Sequence, residues 1–229
     1  MQFSIAIPTY EQQGFGGKML YVLLNTIAHQ KTTHEYEIVI SDNSKNSNIK
    51  DIIGIFNDLP INYIVNHDTF GIGANTNNAI KHCKNEYIKP MFMDDTLLSD
   101  NSLHLFCEEV VKSNCKWIIS NSIYIDANGS NRVEFPTRVM KQLSIHNTIG
   151  MPSCIMYEKS DDLTWDESLT TMADVDFYHQ LYKKYGEPGI IQKGLIGQRY
   201  WKGSYSMNNP NNAIPELEIL KKKHQEILV

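Results

Sequence analysis

Two adjacent carboxylates, Asp94 and Asp95, follow the apolar run Tyr87 to Met93. Paired acids at the end of a buried strand are costly unless their charge is met. A divalent cation meets it, because hard cations prefer oxygen ligands, and the same cation can hold phosphate oxygens. The two acids could instead cap the following helix, a task for which Asp100 and Asn101 compete. Polar groups suited to ligand contact also stand at loop positions elsewhere. Thr9 and Glu11 follow the first apolar run, and Asp42 follows the second. Such side chains accept hydrogen bonds from ring N–H groups or hydroxyls, although Asp42 could equally close an Asx turn. Asp174 heads a helical segment, where it is either a chemical group or a first-turn acid. Arg199 and Lys202 precede a stretch rich in Ser, Asn, Pro and Gly. They either close over phosphate groups or form a solvated basic face.

These residues need elements to hold them. Phe3 to Ile7, Tyr36 to Ile40, Ile61 to Val65 and Tyr87 to Met93 are short apolar runs that predict strands. Between them, Lys18 to His29, Ile49 to Asn57 and Ala74 to Lys84 carry helical spacing. The β-α-β-α-β-α-β order with short links predicts a mostly parallel, Rossmann-like sheet with helices on both faces. In open sheets of this kind ligands bind beyond the carboxyl ends of the strands. Topology therefore brings together Thr9 to Glu11, Ser41 to Ser44 and Asp94 to Thr96.

The second half predicts a helix over Ser102 to Lys112, strands over Lys116 to Ile125 and Met151 to Tyr157, a helix over Asp174 to Tyr185 and a late strand at Ile190 and Ile191. One domain over residues 1–205 is expected, with a ligand-binding half over 1–100 and a second half over 101–205. A mobile segment and a terminal helix follow over 206–229. The net charge of −5 argues against broad attraction to nucleic acid. There is no run of about 18 apolar residues to span a membrane, and the first residues lack the basic region of a signal peptide. Four scattered cysteines without a CxxC pair read as reduced thiols. Lys221, Lys222 and Lys223 read as the wet side of the last helix, with a surface for anionic lipid or nucleic acid as the alternative; cytoplasmic location is expected, or the inner membrane face.

The motif order resembles the family 2 glycosyltransferases of the GT-A fold, over roughly residues 3 to 195. The matching stretches are Ile7-Pro8-Thr9-Tyr10, Val39-Ile40-Ser41-Asp42-Asn43-Ser44, Gly71 with Asn75 and Ala79, Asp94-Asp95-Thr96-Leu97-Leu98-Ser99, and Trp165-Asp166-Glu167-Ser168-Leu169 followed by Asp174-Val175-Asp176-Phe177. The resemblance implies an inverting enzyme that moves one sugar from a nucleoside-diphosphate sugar, UDP-sugar first, to an acceptor hydroxyl. It implies Mn²⁺ or Mg²⁺ on Asp95, with Asp94 on ribose or a metal-bound water. Pro8, Thr9, Glu11, Asp42 and Asn75 would hold the nucleotide, Asp42 meeting base or ribose. Asp174 would be the catalytic base, and Asp176 stands beside it. His146 and Trp201 read either as acceptor-side groups or as an ordinary surface histidine and an apolar tryptophan; Trp165 reads as core. Two departures stand out: the family's first metal-motif acid is Met93, and the acid before the base is Ala173. The acceptor, whether glycan, lipid-linked or nucleic acid such as modified phage DNA, is not legible, and a homodimer is compatible. Rivals are a nucleotidyltransferase using Gly14-Phe15-Gly16-Gly17-Lys18 as a phosphate loop, and a non-catalytic sugar-nucleotide-binding module.

Overall fold

The computed structural model describes residues 1–125, 147–199 and 213–224, and the backbone of 131–134. The first half alternates as its apolar periods require: β1 (Gln2–Thr9), α1 (Gly16–Ala28), β2 (Glu35–Asp42), α2 (Asn48–Ile53), β3 (Ile61–Val65), α3 (Ile72–Lys81) and β4 (Tyr87–Pro90). These four strands form a parallel unit in the order β3-β2-β1-β4. Side chains alternate across it. Phe3, Ile5 and Ile7 join one buried cluster with Leu20, Leu23, Leu24 and Ile27 of α1. Ala6 and Val39 join the other, with Ala79 and Ile80 of α3. Helices thus cover both faces.

The fourth strand is shorter than its apolar run. Pro90 stands opposite Ala6, Met91 N–H makes the last bond to β1 by donating to Ala6 O at 2.9 Å, and Asp95 N–H then closes a turn onto Phe92 O at 3.0 Å. The chain then re-enters the sheet at its far edge. Asp95–Leu97 is β5, antiparallel to β9 (Gly189–Arg199), with Asp95 opposite Gln198.

The rest of the second half is α4 (Ser102–Ser113), β6 (Trp117–Ile125), β7 (Asn131–Glu134), β8 (Ile155–Glu158), α5 (Ala173–Tyr185) and, after β9, α6 (Ala213–Lys223). The sheet order is β3-β2-β1-β4-β8-β6-β9-β5, with β7 on β6. Parallel pairing therefore rules the first half, while β8, β7 and β5 each pair antiparallel. The strand expected over Met151 to Tyr157 begins only at Ile155, because Pro152–Cys154 forms a 3₁₀ turn with Pro152 at its start. The late strand runs eleven residues, so Arg199 stands at a strand end rather than in a loop. Burial pushes the thiols of Cys83, Cys107 and Cys154 up to about 12, which keeps them protonated.

Candidate active site

Parallel register sets the first wall of a cleft. Thr9 and Asp42 are partners at the carboxyl ends of β1 and β2. Asn75, in the first turn of α3, ties them together. Its amide donates to Thr9 O and Ser41 O, both at 3.0 Å, and its oxygen accepts from Ser41 Oγ at 2.6 Å. Gly71, with φ 105°, turns the chain into that helix. Thr9 Oγ1 donates to Ser41 O at 3.1 Å. Asn43 donates to Asn66 O and Thr69 O at 2.8 Å each, joining the next loop.

Between these loops lies a cavity of about 690 Å³, whose walls include Pro8, Thr9, Asn43, Lys45, Asn75 and Asp94. Tyr10 and Phe70, 54% and 62% exposed, also line it. Lys45 and Phe70 were not singled out from the sequence, and Tyr10 stood there only as the end of the first matching stretch. The signal for Lys45 was its place one residue past the Ser41 to Ser44 loop.

Two expected nucleotide ligands serve as supports. Asp42 is 1% exposed, accepts from Ser44 N–H at 2.9 Å and Tyr63 OH at 2.8 Å, and underlies the cavity without lining it. Glu11 accepts from the N–H groups of Gly16 and Gly17 at 3.1 and 3.3 Å, capping α1. Those are the amides a phosphate loop would need, so the Gly14 to Lys18 fragment is a capped helix start. A Cβ at Gly16 would sit 2.5 Å from Tyr10 O, which explains the glycine there.

The metal-type acids face a second, smaller cavity of about 180 Å³ that shares Ile72, Phe92, Asp94 and Thr170 with the first. Asp94, Asp95 and Asp174 all line it, although 79 positions separate the last two. Asp95 is 4% exposed and accepts from Ser153 Oγ at 2.5 Å; Ser153 Oγ in turn accepts from Phe92 N–H at 2.9 Å. Burial, then the neighbouring Asp94, pushes the Asp95 carboxyl up to about 8. Two crowded carboxylates, the buried one of them, Asp95, with raised proton affinity, are a donor set that a hard divalent cation fits.

Arg199 holds this turn from behind. Its guanidinium donates to Asp94 O at 2.7 Å and to Met19 O and Met93 O at 3.0 Å. It lines the small cavity while these donors grip backbone carbonyls, so it is not the solvated basic face that was the alternative reading. Lys89, missed in the sequence, is fully buried beneath the turn, bonded to Pro90 O at 3.3 Å and to Ser153 O, and stands 4.4 Å from the Phe106 ring. Burial pulls it down to about 7. Its signal was a lone lysine inside an apolar strand.

Asp174 lies in the first turn of α5. Asn147 Nδ2 donates to one of its oxygens at 2.7 Å and Val175 N–H to the other at 2.8 Å. Burial raises its carboxyl to about 7, and the charge of Glu216 adds to the rise. A base poised near neutrality suits proton transfer. Asp176 does not join it. Two residues along a helix is about 200° of turn. Asp176 is fully buried against α6, with Lys223 Nζ at 2.9 Å and His224 Nε2 at 2.7 Å. Lys223, expected on a wet helix face, thus forms a partly buried ion pair. Trp165 packs in the core, stacked on Phe177 at 4.8 Å. His146, Trp201 and Lys202, and the stretch expected to be mobile over 206–212, lie outside the described residues.

Another group, His34, His104 and Glu108, has candidate metal-ligating atoms within 4.8 Å of one another. It sits at the opposite end of the sheet, where Met1 N meets His34 Nδ1 at 3.0 Å.

The glycosyl transferase family 2 model matches residues 4–164. The chain belongs to that family. Among curated relatives, chondroitin synthase of Escherichia coli is 27% identical over 150 residues, 64% of this chain. The chain spans only 20% of that relative's length. Among solved structures, S. aureus TarS residues 1–349 in complex with UDP-GlcNAc aligns with a TM-score of 0.76 at 18% identity, covering all of this chain and 70% of that one. The mannosyltransferase PcManGT from Pyrobaculum calidifontis, in complex with GDP-Man and Mn²⁺, aligns at 0.65 and 12% identity over 89% of this chain and 58% of that one. The fold is that of these solved structures, and in this chain it is a mixed α/β sheet with its cleft at the carboxyl ends of the first strands. Among the described residues no helix is long and apolar enough to cross a membrane.

Proposed function

We propose that the chain transfers one sugar from a nucleoside-diphosphate sugar, UDP-sugar first, to an acceptor hydroxyl, inverting the anomeric centre. The observation that carries this reading is the convergence of Asp94, Asp95 and Asp174 on one small cavity that opens into a larger nucleotide-sized one. The similarity to a UDP-GlcNAc-bound structure and a Mn²⁺-bound one supports donor and metal. The similarity to a chondroitin synthase supports a glycan acceptor.

In this reading the nucleotide occupies the larger cavity, between the loops that Asn75 ties together. Tyr10 and Phe70 present aromatic faces to the base, and Lys45 offers a cation for phosphate. Asp95, held by Ser153, and Asp94, held through Arg199, would bind Mn²⁺ or Mg²⁺. The ion supplies Lewis-acid stabilisation of the diphosphate as it leaves. Asp174 takes the proton of the acceptor hydroxyl from across the small cavity. Residues 1–100 thus build the donor side, and the later half brings the base.

A thermal-shift panel of UDP, GDP, UDP-GlcNAc and GDP-mannose, each with and without Mn²⁺, tests the donor and metal. A ligand bound to the native state raises its melting temperature. UDP compounds should raise it only with Mn²⁺. A flat panel, or stabilisation indifferent to Mn²⁺, would overturn the reading. NMR of the product anomer tests inversion.

A further inference from the structure

We infer that Glu216, carried by the last described helix, is a positioning residue for transfer: its carboxylate fixes the turn at 170–172 from which Asp174 projects. The inference rests on Asp174 being the base. Glu216 is 8% exposed, and four donors converge on it. Thr170 N–H and Oγ1 donate to one oxygen at 3.1 and 2.6 Å. The N–H groups of Thr171 and Met172 donate to the other at 2.9 and 2.8 Å. A carboxylate has about four acceptor sites, so this one is saturated.

The donors lead directly into α5, which has no side-chain cap of its own. A carboxylate 44 to 46 positions away thus holds the three amides that lead into the helix. Take it away, and Asp174, two residues on, is the carboxylate free to swing back onto those amides. A base used as a cap is withdrawn from the cleft. Thr170 also lines both cavities, so the same clamp sets the wall between them.

The clamp is separable from the docking of its helix. Leu220 is fully buried in the core. Lys223 pairs with Asp166 at 2.8 Å and with Asp176, and His224 pairs with Asp176. Positions 216, 220, 223 and 224 share one helical face, and the last three hold α6 without Glu216. The charged and titratable groups around Asp174 are Glu216 from α6, Asp94 and Asp95 from the metal turn, Arg199 from β9 and Tyr178 one turn along α5. Losing the Glu216 charge eases ionisation of Asp174.

The test compares E216Q, E216D, L220A and D174N with the parent chain. Hydrogen exchange of the amides at 170–172 needs no substrate. E216Q should exchange there about tenfold faster or more, and unchanged exchange would overturn the clamp. UDP release from UDP-GlcNAc with Mn²⁺, with water as acceptor, is then followed across pH. E216Q should lower kcat about tenfold with KM within about twofold, and move the acidic limb to lower pH. E216D should recover most of the rate. L220A should lower the melting temperature without moving that limb. Normal kcat and an unmoved limb in E216Q, beside an inactive D174N, would remove the positioning role and leave the base in place. Near-normal D174N would instead remove the base itself.

Discussion

Asp174→Asn should separate stability from catalysis. The side-chain amide keeps the shape of the acid and, like its protonated form, carries no charge, with an NH2 in place of one oxygen. A carboxyl raised from 3.8 to about 7 binds its proton more tightly in the folded chain. The neutral form is therefore the stabilising one. Its contribution is full below about pH 4 and is lost as pH rises toward 7. Roughly three pH units set a ceiling of about 4 kcal/mol. Asp174 keeps some solvent contact, and screening brings the expected value to about 1–2 kcal/mol. D174N should match the parent chain near pH 4 and be more stable at pH 8, with a melting temperature about 4 °C higher. Transfer should fall about 10²- to 10⁴-fold, while Mn²⁺-dependent UDP affinity stays within about twofold. Urea titrations at both pH values and initial rates of UDP release supply the numbers. A variant no more stable at pH 8, or one that transfers near-normally, would refute the reasoning.

Further substitutions probe the rest of the cleft. D95A should abolish Mn²⁺-dependent binding of UDP in calorimetry, whereas D94A should weaken it with a smaller loss of rate; metal-dependent affinity preserved in D95A would sink the ligand assignment. N75A leaves Thr9 O and Ser41 O without the amide that joins them, so stability should fall by about 2–3 kcal/mol in urea and UDP should bind more weakly. Tight UDP binding in N75A would show that the loops hold their places unaided. R199K keeps the charge but loses the planar fork that reaches several carbonyls. Its Mn²⁺ affinity should drop although no ligand atom is removed, and an unchanged isotherm would deny the turn its need for a guanidinium.

What local pattern can carry was legible. The apolar alternation of Phe3, Ile5 and Ile7 and the spacing of Leu20, Leu23, Leu24 and Ile27 mark the layers on which the parallel unit is built. Asp94 and Asp95 were read from carboxylates after an apolar run and Asp174 from the family resemblance; what the structure adds is that all three line one cavity. Pairings across long separations were not legible, because periodicity holds no information about them. Ser153 reaches Asp95 across 58 positions, and Asn147 reaches Asp174 across 27. Glu11, Asp42 and Arg199 were read as ligand groups because their types suit that work. The folded chain uses the same hydrogen-bonding capacity to cap a helix, close a loop and grip a turn. Asp176 and Asp174 look alike in a string of letters, but a helix sends them to opposite sides.

The ladder between β5 and β9 sets an order of assembly. Three residues beside the metal turn, 95–97, find their partners only at 196–198. Arg199, which grips the turn, comes one residue later. On the ribosome, the loops around Thr9, Asp42 and Asn75 have the hydrogen-bond partners that tie them to one another once α3 has emerged. The paired aspartates must wait until nearly the whole described chain has been made. In a nascent or truncated chain the loops around the larger cavity would thus be tied together before the paired aspartates are held in place. The turn that carries the paired acids is fixed late, by the strand beside it.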